Sequence, residues 1–472
     1  MTAQQLPPIA SPASSHPTLA RTMGLFALVV YGVGDMLGAG VYALIGKVAG
    51  YMGNAVWLAY LIAMVAAALT ALSYASLGSR YPRAGGSAYY AHHAFGQPFL
   101  SYLIGFAVIA SGLTSIAAQS HAFARYCFGL VHPDVAPGTI PPADFTYKFA
   151  IPFLLAMTLV NLWGIKQSTW LNIICTVVEV SGLAIIIAVG VRYWGSVNYL
   201  EGPATNPDTS APVGGALKLP LVMSGAVLGF YAFIGFEDMS NVAEEVKDPQ
   251  RTFPIGVITA VAITSLIYMC IGITAVSVIP HETLAKSGQP LVDVVRTAAP
   301  SFPTRVFSVI ALFAITNTAL LNYIMGSRLI FALARQGLVW RKLSAIHPYT
   351  RTPHLAIFTL LIVLVGLVFA GGIQTLASAT SSLLLFAFIV VNASLLVVKF
   401  RPGEPRGSFD VPVVVPVLGV IICAALILNA EAQAAKIAFL IVVAVTLLFL
   451  ITRPTNVSEE TLVEAGETAE ST

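Results

Sequence analysis

The chain has 472 residues, of which 57% are hydrophobic and only 10% charged, with a formal net charge of +3. Ordinary soluble domains carry roughly a quarter charged residues, so this balance excludes a water-soluble globular protein and points to the lipid bilayer as the main partner. Neither a nucleic-acid partner nor a cofactor is expected.

In chain order, the Pro-, Ser- and Ala-rich residues 1–22 read as a disordered cytoplasmic tail. Long apolar blocks follow. A helix rises 1.5 Å per residue, so about twenty residues cross a hydrocarbon core of roughly 30 Å. On that measure about twelve transmembrane helices are expected, near residues 23–46, 54–78, 98–126, 146–164, 170–194, 219–242, 254–280, 303–333, 354–371, 375–400, 411–429 and 433–452. The acidic residues 453–472 read as a second disordered cytoplasmic tail. Placing both termini inside puts about fifteen Lys and Arg on the inner side and about nine outside, as the positive-inside rule requires. The expected location is therefore the cell membrane, multi-pass. Cys127, Cys175, Cys270 and Cys423 fall within or at the ends of spans and suggest packing rather than disulfides or a metal site.

Two spans are unlike the rest. The first contains "GVGDMLGAGVY" (residues 32–42) and the sixth "GFYAFIGFEDMSNVAEEVKDP" (residues 229–249), each with glycines and acids inside an apolar run. Each is followed by four uninterrupted spans, which divides the chain into five-helix repeats over 23–194 and 219–400 with two additional helices over 411–452. Interrupted segments at matching places in two halves are the best sequence pointer to a transporter site. Unwinding a helix in lipid strands amides and carbonyls at several kcal/mol each unless a polar partner fills the gap. Free amides suit a carboxylate and free carbonyls suit an ammonium group, and an α-amino acid presents both.

"GVGDMLGAGVYALIGKVAG" (32–50) and "FYAFIGFEDMSNVAEEVKDPQRTFPIGV" (230–257), together with "YPRAGGSAYYAHHAFG" (81–96), "GSRLIFALARQGLVWRKLSAIHPYTRTPH" (326–354) and the weaker "FDVPVVVPVLG" (409–419), resemble the amino acid permeases of the amino acid/polyamine/organocation (APC) superfamily. The resemblance implies an all-α polytopic membrane protein with a LeuT-like 5+5 inverted repeat and broken helices 1 and 6. It implies that the amides of Gly38, Ala39, Gly40 and Val41 hold a substrate carboxylate. An ammonium group would face carbonyls of Met36, Tyr231, Ala232, Phe233 and Ile234. Phe230 and Tyr231 occupy positions that cover such a site, as gate or as simple packing. The chain departs from the family where Arg335-Gln336-Gly337 replaces an Arg-Asp-Gly triplet.

Acids inside a membrane are costly enough to suggest function. Glu237 follows the second break and can cap it or exchange protons. Glu179 falls near the middle of span five, where many relatives carry lysine. It reads as a protonatable carboxylate or as one ligand of a Na⁺ site completed by Thr316 and Thr318, and the proton is favoured. Asp35, beside Met36, either reads a cationic substrate side chain or caps orphan amides. Asp238 is placed toward water with no role. Span three offers Ser111, Thr114 and Ser115 but no carboxylate, which favours neutral substrates, with Ser111 a candidate for selectivity. Arg80, Arg83, Arg328, Arg335 and Arg351 read as anchors at the inner interface. His92 and His93 lack partners at metal-ligand spacing, so no metal is expected. With no nucleotide loop or catalytic constellation, the expectation is not an enzyme but a secondary amino acid transporter coupled to H⁺. An uncoupled exchanger of cationic amino acids or polyamines and a non-transporting sensor are the rivals.

Overall fold

The structure, a computed structural model, describes residues 23–452 and 454 apart from 82–85, 133–138, 140, 164–167, 336, 348, 351 and 406. Both expected tails, save residue 454, and the expectations for Arg83, Gln336 and Arg351 lie outside the described residues.

Helix dominates because a backbone in hydrocarbon must satisfy its polar groups within its own segment. The first half runs α1 (Leu25–Met36), α2 (Ala39–Met52), α3 (Val56–Arg80), α4 (Gly86–Phe95), α5 (Pro98–Val131), α6 (Ala143–Trp163) and α7 (Ser168–Gly190). The second half opens with α8 (Leu219–Phe230), 3-10 turns over Tyr231–Phe233 and Phe236–Glu245, and α9 (Pro249–Val278). It continues through α10 (His281–Lys286), α11 (Pro290–Ala298), α12 (Thr304–Arg335), α13 (His354–Ala370) and α14 (Ile373–Phe400), before α15 (Val414–Leu428) and α16 (Ala432–Thr452). Among the described residues, eight helices are long and apolar enough to cross a membrane, α1 and α2 form one span bent by 47°, and three shorter apolar helices join them. Proline at the first turn of α5, α8, α9 and α11 sets their start, where its missing N–H costs nothing.

Three helices lie outside the expected spans. α4 is a short helix on the 81–96 segment, and α10 and α11 fold within the connection after α9. α11 hides Leu291, Val292, Val294 and Val295 despite its modest length. Span six also differs: α helix stops at Phe230, and the remainder is 3-10 turn.

α3 packs along α9 and α8, α1 along α9, and α5 along α12 and α14. Ala59, Ala63, Ala66 and Ala67 of α3 are fully buried, as are Val257, Ala260 and Tyr268 of α9. Small side chains let transmembrane helices approach closely, where lipid supplies no hydrophobic drive for association. Exposed residues such as Ile362 of α13, Ile421 of α15 and Phe439 of α16 place those helices at the periphery. Between α14 and α15 the chain is tied to the ends of α3 and α4: Asp410 pairs with Arg80 at 2.8 Å and Lys399 at 2.5 Å, and Glu404 with Arg401 at 3.2 Å and His93 at 3.3 Å.

Candidate functional site: two broken helices around a polar cavity

The first break occupies Leu37 and Gly38. The Leu37 amide still reaches the Val33 carbonyl at 2.8 Å, and Gly38 is extended at φ −76°, ψ −157° before α2 begins. The Ala39 amide donates to the Thr318 hydroxyl at 3.3 Å, and that hydroxyl donates to Ala314 O at 3.1 Å. The glycines here serve close approach. A Cβ on Gly38 would lie 2.4 Å from Thr318 Oγ1, and one on Gly40 would lie 2.7 Å from the Ala232 Cα. Gly40 thus brings the two broken spans into backbone contact.

The second break begins at Tyr231. After one 3-10 turn, Ile234 is extended and Gly235 adopts φ 122°, a conformation L side chains rarely take. The Gly235 amide donates to Glu237 Oε2 at 3.0 Å, so Glu237 caps the break with its own side chain. Gly229, by contrast, stays helical. Its missing Cβ would meet Ala59 at an ordinary 3.5 Å.

The two breaks share a partner that the sequence reading missed. The Tyr268 hydroxyl from α9 donates to Ala232 O at 2.8 Å and also to Met36 O. Two carbonyls stranded by separate breaks therefore converge on one proton. Tyr268 is fully buried and its ring meets Tyr60 and Phe233, at 5.6 and 5.4 Å between centroids.

A cavity of about 20 Å³ lies between these segments. Its walls include Asp35, Met36, Gly38, Ala39 and Gly40 from the first broken span and Tyr231, Ile234, Gly235 and Asp238 from the other. α5 adds Ser115 and Gln119, and α12 adds Thr318 and Asn322. Tyr231 is tied to α5 by a hydrogen bond between its hydroxyl and Ser115 Oγ at 2.8 Å, and Gln119 Nε2 donates to that same Ser115 oxygen at 3.0 Å.

Of the residues expected at the site, Met36, Gly38, Ala39, Gly40, Tyr231, Ile234 and Asp35 line the cavity. Val41, Ala232 and Phe233 are buried behind it. Phe230 is not in the wall. It packs edge-on against Phe388 of α14, at 5.8 Å between centroids, with Phe236 and Tyr74 in the same cluster. Ser111 also lies off the cavity, and its hydroxyl donates to Val108 O at 2.7 Å. Asp238, placed toward water by the sequence reading, lines the wall instead, because the 3-10 turn changes the face that each residue presents. Gln119 and Asn322 went unremarked, although Ser115 and Gln119, like Thr318 and Asn322, repeat at the i, i+4 spacing of one helix face.

Glu179 sits beside the site rather than in its wall. Its side chain is fully buried, and neither carboxyl oxygen accepts a hydrogen bond from any described residue. α7 is held against the first broken span by the Tyr42 hydroxyl, which donates to the Glu179 backbone carbonyl at 2.9 Å. Further along the same contact, a Cβ on Gly34 would come 3.0 Å from Thr176 Cγ2. Among the described residues no group of His, Cys, Asp and Glu is arranged to hold a metal ion.

An all-helical membrane protein with two interrupted segments meeting at a polar cavity has the architecture of a membrane transporter. The chain belongs to the amino acid permease family, whose pattern it matches over residues 23–458. It is 29% identical over 429 residues to the methylthioribose transporter of Bacillus subtilis (strain 168), covering 88% of this chain and 89% of that protein. The branched-chain amino acid permease BcaP of the same organism is 28% identical over 431 residues, with 88% and 89% covered. The vacuolar cationic amino acid transporter 4 of Arabidopsis thaliana is 31% identical over 408 residues, covering 83% of this chain and 65% of that protein.

Proposed function

We propose that this permease is a secondary active transporter of amino acids in the cell membrane, working by alternating access between two five-helix repeats and driven by H⁺. Both termini face the cytoplasm in this reading. The observation that carries it is the meeting of the two breaks: Gly40 against Ala232, with Met36 and Ala232 carbonyls converging on Tyr268. An α-ammonium group can replace that hydroxyl at the carbonyls, while the amides at Gly38, Gly40 and Val41 receive the carboxylate, joined by that of Ala39 once it leaves the Thr318 hydroxyl. The cavity of about 20 Å³ has room for about one water, so admitting substrate requires the half-helices to separate. Tyr231, anchored on Ser115, is the side chain in the wall best placed to move with such a gate.

Coupling rests on Glu179. A carboxylate buried without a hydrogen bond or a cation is costly as an anion, and a proton is the simplest companion that removes the cost. A Na⁺ site would ask the α12 hydroxyls to turn toward it, whereas Thr318 is committed to Ala39 and Ala314. The cavity wall does not favour neutral side chains. α5 contributes no carboxylate, but Asp35 and Asp238 bring two to the wall from the broken spans. The similar proteins are named for substrates as different as methylthioribose and cationic amino acids, so side-chain chemistry has to come from the cavity itself.

The test uses proteoliposomes with imposed H⁺ or Na⁺ gradients. Glu179→Gln keeps shape but cannot release a proton, and it should still exchange amino acid across the membrane while losing accumulation and pH response. Accumulation by the variant with the parent's pH dependence would reject Glu179 as the coupling group. Persistent counterflow in the parent without any gradient-driven accumulation would identify an uncoupled exchanger.

A further inference from the structure

Two hydrogen-bond acceptors on residues of the cavity wall, one on Gln119 and one on Asp35, have no donor among the described residues. Gln119 is 2% exposed, and its amide is oriented by a chain of hydrogen bonds: Nε2 donates to Ser115 Oγ, which is paired in turn with the Tyr231 hydroxyl. That leaves Gln119 Oε1 buried, with no hydrogen bond from any described residue. Asp35 Oδ2, on the first broken span, is buried in the same condition. Asp238 adds a second carboxyl to the wall, and no lysine or arginine lines the cavity among the described residues. The close packing of Gly235 on Asp35, where a Cβ would lie 3.0 Å from the carboxyl carbon, holds that acid in place.

An acceptor left buried without a donor costs about 1–3 kcal/mol, and more if it is charged. A neutral aliphatic side chain entering the cavity would seal that cost in. A guanidinium or ammonium group would remove it, because each supplies several donors and a positive charge together. We propose that Gln119 and Asp35, with Asp238 beside them, form a subsite that recognises a positively charged side chain on the amino acid substrate. The proposal rests on the transport reading above and specifies its substrate class.

The decisive comparison is between ligands of nearly equal shape. Arginine and citrulline differ in the replacement of a guanidinium by a neutral urea, and lysine and norleucine differ in the loss of an ammonium. Binding to the purified full chain is measured by thermal shift and by competition against a radiolabelled amino acid. Arginine and lysine should bind roughly ten- to a hundredfold more tightly than their neutral counterparts. In Asp35→Asn and in Gln119→Met the arginine-to-citrulline ratio should fall toward one. Size-exclusion profiles establish that each variant is folded, and the ligand comparison in the parent needs no substitution at all. Citrulline and norleucine binding as tightly as arginine and lysine would overturn the subsite while leaving amino acid transport intact. Failure of every amino acid, charged or neutral, to bind or be carried would overturn the transport reading and the subsite with it.

Discussion

The two breaks solve the same problem by different means. The first is two residues long and bends its span by 47°, and its freed groups are met from a distance: Ala39 N by Thr318 of α12, and Met36 O by Tyr268 of α9. The second extends through two 3-10 turns from Tyr231 to Glu245 and is met in part from within, by Glu237 reaching back to Gly235 N. A break held by distant helices changes whenever those helices move. A self-capped break can move as a piece. The first therefore depends wholly on the packing of α9 and α12, whereas the second keeps one internal bond besides its ties to α5 and α9.

The largest effect is expected where the two breaks touch. Gly40→Ala places a methyl group 2.7 Å from a backbone carbon of the other span, where no side chain can swing aside. Overpacking of that kind costs roughly 1–3 kcal/mol, and here it falls on the contact that the proposed mechanism requires to open, so uptake should drop to background. Gly229→Ala is the control, since its Cβ meets neighbours no closer than 3.5 Å. It should retain near-parent uptake, and equal loss in both variants would show that the contact between breaks is not special.

Next in size is Tyr268→Phe, which removes the hydroxyl shared by the two breaks and leaves Met36 and Ala232 carbonyls without it. The expected destabilisation is about 1–3 kcal/mol, read as a lower unfolding temperature that added substrate partly restores. An unchanged unfolding temperature would mean that the two carbonyls find other donors. The smallest change belongs to the self-capped break. In Glu237→Gln the amide oxygen can still accept from Gly235 N, so stability should shift by less than about 1 kcal/mol and the pH dependence of uptake should match the parent's. Loss of pH response in this variant would transfer the coupling role from Glu179 to Glu237.

Much of this arrangement was legible before folding. Gly38, Gly40 and Gly235 stand out because glycine inside an apolar span has few other reasons to be there, and all three meet a close approach or a positive φ. Phe230 and Ser111 lie off the cavity for a geometric reason, and for Phe230 this is the packing alternative. Phe230 immediately precedes the wall residue Tyr231 but packs toward α14, and Ser111, one turn before Ser115 on α5, turns its hydroxyl to the backbone of its own helix. Asp238, expected to face water, lines the cavity from a 3-10 segment, whose three residues per turn present side chains on other faces than an α-helix does. Tyr268 gave no signal, since a lone tyrosine in an apolar helix resembles any other packed aromatic.

Composition and the length of the apolar runs by themselves determined that this chain is a helical membrane protein, because hydrocarbon admits only helices and closed barrels, and continuous apolar runs of about twenty residues fit the helix rather than the shorter, alternating barrel strand. Local sequence also determined where two of those helices must break. Which distant side chains meet the freed groups was decided only by tertiary structure. Tyr268 lies 232 residues from Met36, and Thr318 lies 279 from Ala39, so each contact depends on how whole helices pack. The same holds for the acceptor-lined wall. Asp35, Gln119 and Asp238 are unrelated in sequence, and they share a cavity because small residues let the helices that carry them come close.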